Sequence, residues 1–202
     1  AIRQRRAYES VGFFPTPYEP EPETLLPTLT ITMPMVNPGF REYERWAERR
    51  GVILIVLNSS ANAYHVRGNR EAQLSAYDFL YGHIRSHPHL NFTYGVSGGA
   101  QMGWVAASNS PDLFSGVLMS AHGGYRELAL EPHIRVAYIN GEEDWNARYI
   151  LEMIGRLRRN GNPVKHAVVP GGHIEGPLDV RTRLLDWLLD SSRADLEALA
   201  AE

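Results

Sequence analysis

Two kinds of hydrophobic pattern alternate along this chain, short β-type runs and longer stretches at helical spacing. Residues 28–36 alternate β-branched and apolar side chains as a strand does. Residues 40–50 put Phe40, Tyr43 and Ala47 on one face and stop at Gly51, which predicts a helix. Residues 52–57 (Val-Ile-Leu-Ile-Val-Leu) are an unbroken apolar run, the pattern of a strand covered on both faces. A long helix is predicted over 70–86, with Leu74, Tyr77, Tyr81 and Ile84 at three- and four-residue spacing. The run 90–94 reads as a strand and leads into a helix-like stretch of small residues (Ala100, Gly103, Ala106, Ala107). A short buried strand over 116–120 follows. A strand over 134–140 then leads to a helix over 147–159, and a strand over 164–169 to a last helix over 178–189.

Strands alternating with helices predict an α/β fold: a mostly parallel sheet with helices on both faces, joined by right-handed crossovers. The 202 residues suit one domain with a sizeable core, assigned to 28–202, and no internal repeat is visible. Residues 1–27, rich in proline and glutamate, predict an N-terminal arm that lies on the domain or is partly mobile.

Composition narrows the function classes. Hydrophobic residues at 44% and charged residues at 21% are ordinary for a globular protein and argue against disorder. A net charge of −3 gives no electrostatic case for nucleic acid, and the local runs Arg3/Arg5/Arg6 and Arg156/Arg158/Arg159 read as solvated faces. No apolar run approaches the roughly 20 residues that span a bilayer. With no cysteine, disulfides, thiolate nucleophiles and Cys-ligated zinc are excluded. The chain begins at Ala1 without a recognisable signal peptide, which suggests a processed or trimmed N-terminus. A cytoplasmic and a secreted location both fit, and the oligomeric state is open.

The candidate chemistry sits in the loops after three of the strands. Gly95-Val96-Ser97-Gly98-Gly99 matches Gly-x-Ser-x-Gly between a predicted strand and a predicted helix. In such a turn the serine is forced into a strained conformation and its hydroxyl is lifted clear of the sheet. The flanking glycines are needed because a Cβ there would collide with the neighbouring strand or helix. A plain glycine turn in which Ser97 only caps the next helix is the competing reading. The strand over 134–140 ends in Gly141-Glu142-Glu143-Asp144, and that over 164–169 runs into Pro170-Gly171-Gly172-His173. Loops after the strands of an open α/β sheet are where binding groups gather. Ser97, Asp144, His173 is also the chain order expected of an α/β-hydrolase nucleophile, acid and base. Glu142 and Glu143 compete with Asp144 for the acid, and the Gly-x-x-Asp spacing favours Asp144.

With these three motifs the chain resembles the α/β-hydrolases. More narrowly, it is similar to compact bacterial serine esterases related to polyhydroxybutyrate depolymerases and feruloyl esterases, over roughly residues 28–190. The resemblance implies a nucleophile at Ser97, an acid at Asp144 and a base at His173. It implies acyl transfer through an acyl-serine, and neither metal nor cofactor. The backbone N–H of Gly98 supplies one half of the oxyanion hole in this pattern. Such esterases usually carry His-Gly in the loop after the first of these strands, where a backbone N–H completes the hole. Here the loop reads Met35-Val36-Asn37-Pro38-Gly39-Phe40; Pro38 has no N–H, so the donor would be Asn37 or Gly39.

A histidine is suited to the base role because its unperturbed pKa of about 6.5 lets it take and return a proton near neutrality. About ten residues, 123–132, separate two of the strands, too few for a large lid, which predicts an open site for short or bulky esters. Trp145, Tyr125 and Tyr64 are candidates for its aromatic wall. His87-Pro88-His89 lacks a third ligand at metal spacing. His122 reads as a loop histidine at the same sheet end, and Ser59 and Ser60 as hydrogen-bonding loop residues. The expected partner is a small-molecule or polymeric ester. A catalytically silent binding module and a serine peptidase or acyltransferase remain the alternatives.

Overall fold

The computed structural model describes residues 11–14 (backbone only), 25–34, 41–57 and 86–200. The described strands are β1 (Val11–Phe14), β2 (Leu26–Thr32), β3 (Ile53–Leu57), β4 (Ser86–Val96), β5 (Phe114–Ser120), β6 (Arg135–Gly141) and β7 (Val164–Val169). The described helices are α1 (Arg41–Arg50), α2 (Gly98–Asn109), α3 (Ala147–Arg159) and α4 (Leu178–Ala200), with a 3₁₀ turn at Pro111–Leu113. The strands form one sheet in the order β1-β3-β2-β4-β5-β6-β7. Every pair is parallel except β1, which runs antiparallel along β3 from Val11 opposite Leu57 to Phe14 opposite Leu54.

Period-two alternation divides the core between the two faces of the sheet. In β6, Val136 and Tyr138 face a cluster with Trp104 of α2 and Ile150, Met153 and Leu157 of α3. Ala137 and Ile139 face the opposite cluster, with Tyr43 and Trp46 of α1 and Leu184 and Leu188 of α4. All seven residues of β6 are buried, as expected of a strand covered on both sides. The edge strand β7 is more open, and Val168 is exposed. The sheet thus lies between two helical layers, and the α/β expectation holds.

Several boundaries differ from the sequence expectation. The first predicted strand, 28–36, is β2; it begins at Leu26 and stops at Thr32, just before Met33-Pro34, while residues 35 and 36 fall outside the described set. The predicted helix over 70–86 also lies outside it, apart from Ser86, which opens β4 and pairs with Leu26. The last helix does not stop at 189. It continues to Ala200 because Ser192 is buried against the sheet and Asp195 forms an ion pair with Arg135 of β6. A polar Ser-Ser-Arg stretch looks like a helix end, but these tertiary contacts hold it in place.

Two features position the loops that follow the strands. The chain moves from β2 outward to β3 and then returns across β2 to β4, so the winding reverses between β2 and β4. A crevice opens at the carboxyl ends of the strands at such a reversal. The connection from β5 to β6 is tied down beside α2 and α3: Trp104 Nε1–H donates to the Leu128 carbonyl (3.1 Å), the Tyr149 hydroxyl to the Gly124 carbonyl (2.7 Å), and the Asn160 amide to the Leu130 carbonyl (3.0 Å). Among the described residues nothing arches over the carboxyl edge as a lid. No described helix is long and apolar enough to cross a membrane.

Candidate active site

The turn from β4 into α2 is built by close approach. A Cβ on Gly95 would lie 2.4 Å from the Gly99 carbonyl carbon, and one on Gly99 would lie 2.1 Å from the Thr32 carbonyl oxygen. The first contact is with the start of the helix and the second with the end of β2, so each glycine is required by backbone and not by a side chain that could move. Ser97, held between them, has φ 50° and ψ −118°. Positive φ is uncommon for a residue with a side chain and marks stored strain. The Ser97 N–H donates to the Ser120 carbonyl of β5 at 2.8 Å, which fixes the turn against the sheet. The Ser97 side chain makes no capping bond to α2.

Gly99→Ala follows as a stability and activity test. The new methyl would push α2 away from Thr32 and carry Ser97 with it. Overpacking of this kind costs about 1–3 kcal/mol, and a displacement of about 1 Å at a reacting group costs on the order of 100-fold in rate. Thermal denaturation should show a lowered midpoint, with kcat reduced well beyond what the unfolded fraction explains.

Asp144 closes the turn after β6. Its side chain is fully buried, whereas Glu142 and Glu143 are exposed. Glu142 and Glu143 act through their backbone: their N–H groups donate to the carbonyls of Val169 and Gly171, both at 2.9 Å, and so hold the next loop in place. That loop passes directly over Gly141, where a Cβ would lie 2.1 Å from the carbonyl oxygens of Gly171 and Gly172. His173 is thereby brought to Asp144 and Ser97. Its Nδ1–H donates to Asp144 Oδ1 at 3.1 Å, and its Nε2 lies 2.9 Å from Ser97 Oγ, positioned to accept the hydroxyl proton. Asp144 Oδ1 also accepts the Asn146 N–H at 2.8 Å. The carboxylate thus sets the imidazole tautomer and leaves the Nε2 lone pair for the serine.

Two surroundings act on this chain of hydrogen bonds. Gly98 is the first residue of α2, so its N–H has no partner within the helix, and no acidic residue stands in the first turn to offset the helix dipole. Trp145 stacks on the His173 ring, with centroids 3.9 Å apart and planes 14° from parallel, while 74% of the residue stays exposed.

The other candidates separate clearly. Tyr125 is half-buried against the core under α2 and α3, and its hydroxyl lies 3.0 Å from the Gln101 side-chain amide. The same amide meets His122 Nε2 at 2.7 Å, and His122 Nδ1 accepts the Gly124 N–H. With Nδ1 accepting, the neutral ring carries its proton on Nε2. The amide oxygen of Gln101 therefore belongs on the histidine side and its NH₂ on the tyrosine side. Burial, helped by the nearby His173, pushes the His122 pKa down to about 4, so this histidine remains neutral beside the site. Asn37, Gly39, Tyr64, Ser59 and Ser60 lie outside the described residues. His87 Nδ1 accepts the N–H groups of His89 and Leu90, and among the described residues no group of three His, Cys, Asp or Glu could hold a metal ion.

One residue of this loop carried no sequence signal. Glu175, two positions after His173, reaches inward to Tyr94 of β4, Tyr43 of α1 and Arg181 of α4. Tyr94 gives no hint of it either, because the same strand already buries the polar Asn91 and Thr93.

No protein-family model and no curated protein sequence matches this chain. Solved structures do. A thermostable esterase superposes with a TM-score of 0.72 at 14% identity; the match covers 89% of this chain, which spans only 58% of that esterase's length. Est1E from Butyrivibrio proteoclasticus, solved with ferulic acid bound, gives a TM-score of 0.68 at 11% identity over 91% of this chain and 95% of its own. FphF, a fluorophosphonate-binding serine hydrolase of Staphylococcus aureus, gives 0.64 at 16% identity over 89% of this chain and 91% of its own. At these identities the likeness is one of fold: the chain has the α/β-hydrolase fold.

Proposed function

We propose that this chain is a serine hydrolase that cleaves carboxylic esters through an acyl-serine. The observation that carries this reading is the hydrogen-bonded sequence Ser97–His173–Asp144 at a strained strand-to-helix turn. A serine hydroxyl is protonated near neutral pH and attacks poorly on its own. In the proposed reaction Ser97 Oγ bonds to the ester carbonyl carbon as its proton passes to His173 Nε2. The carbonyl oxygen gains the electron pair, and the Gly98 N–H stabilises it as an oxyanion; loss of one such donor typically costs about 3–4 kcal/mol. Collapse expels the alkoxide, which leaves as alcohol with the proton from Nε2. Water then repeats the sequence on the acyl-serine, releasing the acid and restoring Ser97 and His173. Asp144 holds the imidazole tautomer and stabilises the transient imidazolium.

Trp145 and the pinned connection 121–134 support an uncovered site suited to short or bulky esters. A nitrophenyl ester series of increasing acyl length, run beside peptide substrates, tests this. Short acyl esters should be turned over fastest, with peptides inert. Faster peptide cleavage would make the chain a peptidase, and failure to hydrolyse any ester would overturn the esterase reading.

A further inference from the structure

We propose that Glu175 is a positioning residue for His173, a strut that ties the base loop to buried partners on the strand carrying Ser97 and on two helices. The proposal rests on the serine-hydrolase reading for its kinetic consequences, while its geometry stands independently. Tyr94 lies three residues before Ser97 on β4, and its hydroxyl donates to Glu175 Oε1 at 2.6 Å. The Tyr43 hydroxyl of α1 donates to the same oxygen at 3.1 Å, and Arg181 of α4 does so at 2.5 Å. On the other side of the residue, the Glu175 carbonyl accepts the Ser120 hydroxyl at 2.6 Å; Ser120 is also the residue whose carbonyl receives the Ser97 N–H. Gly176 follows at φ +86°, packed so closely that a Cβ would lie 2.7 Å from Ile139. The loop is therefore clamped before His173 by Gly141 and Glu143 and after it by Glu175.

The strut is built to be rigid. Tyr94 has no exposed surface, and the Arg181 side chain is 6% exposed. Arg181 also pairs with Glu42 at 2.5 Å and contacts the Tyr43 hydroxyl, so its charge is balanced from two elements. Burial, with the facing Glu175 charge, raises the pKa of both phenols, so both remain O–H donors. Three donors converging on one carboxylate oxygen fix its position in all directions, and buried networks of this kind lose most when one member is removed. Its partners Tyr94, Tyr43 and Arg181 are buried, and the Glu175 side chain, 35% exposed, commits Oε1 to all three; the proposed effect on the chemistry runs through the His173–Ser97 distance.

Three variants test the strut. Glu175→Ala should lower kcat on a short ester by about 100-fold, the usual consequence of a displacement near 1 Å, with KM within about twofold. Tyr94→Phe removes one buried hydroxyl and should cost about tenfold in kcat. Combined with Glu175→Ala it should add little, because both break the same link. Glu175→Gln keeps an acceptor oxygen for the three donors and should restore kcat to within about threefold of the parent. A loss that appears in KM, or a Gln variant no better than Ala, would overturn the proposal. A second readout needs no turnover: the downfield NMR resonance of the His173 Nδ1 proton, held by Asp144. It should broaden in Glu175→Ala, or in Tyr94→Phe if the alanine variant does not fold, while circular dichroism stays native. An unchanged sharp resonance sinks the strut. A responsive resonance in a protein that hydrolyses no ester sinks the esterase reading alone.

Discussion

Ser97→Ala is expected to lower kcat on the best ester by on the order of 10⁶-fold, the scale seen when a serine nucleophile is removed from a relay of this type. In the proposed reaction the Ser97 Oγ attacks and passes its proton to His173 Nε2, which lies 2.9 Å away. KM should change little, since the hydroxyl contributes to bond making and not to holding the substrate. The fold should survive, because the side chain makes no capping bond and the turn is held by the Ser97 N–H on Ser120. Steady-state kinetics beside a thermal melt checks both halves. A variant that keeps even about 1% of the parent rate would place the nucleophile elsewhere.

Asp144→Ala should cost on the order of 10⁴ in kcat. The carboxylate is fully buried and faces the imidazole directly, so in the proposed reaction it would stabilise the imidazolium in surroundings that screen it little. Asp144→Asn sharpens the test. The Asn146 N–H donates to the same oxygen that accepts from His173, so a substituted amide is steered to keep its oxygen there. The imidazole tautomer is then preserved and the loss is mainly that of charge. The Asn variant should therefore retain at least about tenfold more activity than the Ala variant, the equivalent of about 1.4 kcal/mol in the transition state. Equal rates for the two would mean that the amide turns and that the tautomer is lost in both.

The features that could be read from the sequence are those set by local backbone demands. Gly95 and Gly99 announce the turn because each sits against backbone, at Gly99 and Thr32 respectively, where no side chain can be accommodated. Asp144 and His173 were visible as polar residues in glycine-rich loops directly after buried strands. The apolar run of β3 and the helix over Ala147–Arg159 likewise follow from periodicity alone. The missing parts depend on partners remote in sequence. Glu175 meets Tyr94 and Tyr43 across 81 and 132 residues, and neither spacing leaves a local mark. The extension of α4 past Leu189 depends on Arg135, and the stacking of Trp145 on His173 on how two loops meet. Trp145 was expected to line the site, but its contact with the imidazole follows only once the His173 loop is folded over Gly141.

The decisive measurement is covalent labelling with a fluorophosphonate followed by peptide mapping. The probe phosphonylates only a serine whose proton a neighbouring base can remove, so it reports the Ser97–His173 pair without assuming any substrate. A single adduct on the peptide containing Ser97 is predicted, lost in Ser97→Ala and strongly slowed in His173→Gln. A folded wild-type protein that takes up no label, or an adduct at any other serine, would contradict the assignment of Ser97 as the nucleophile.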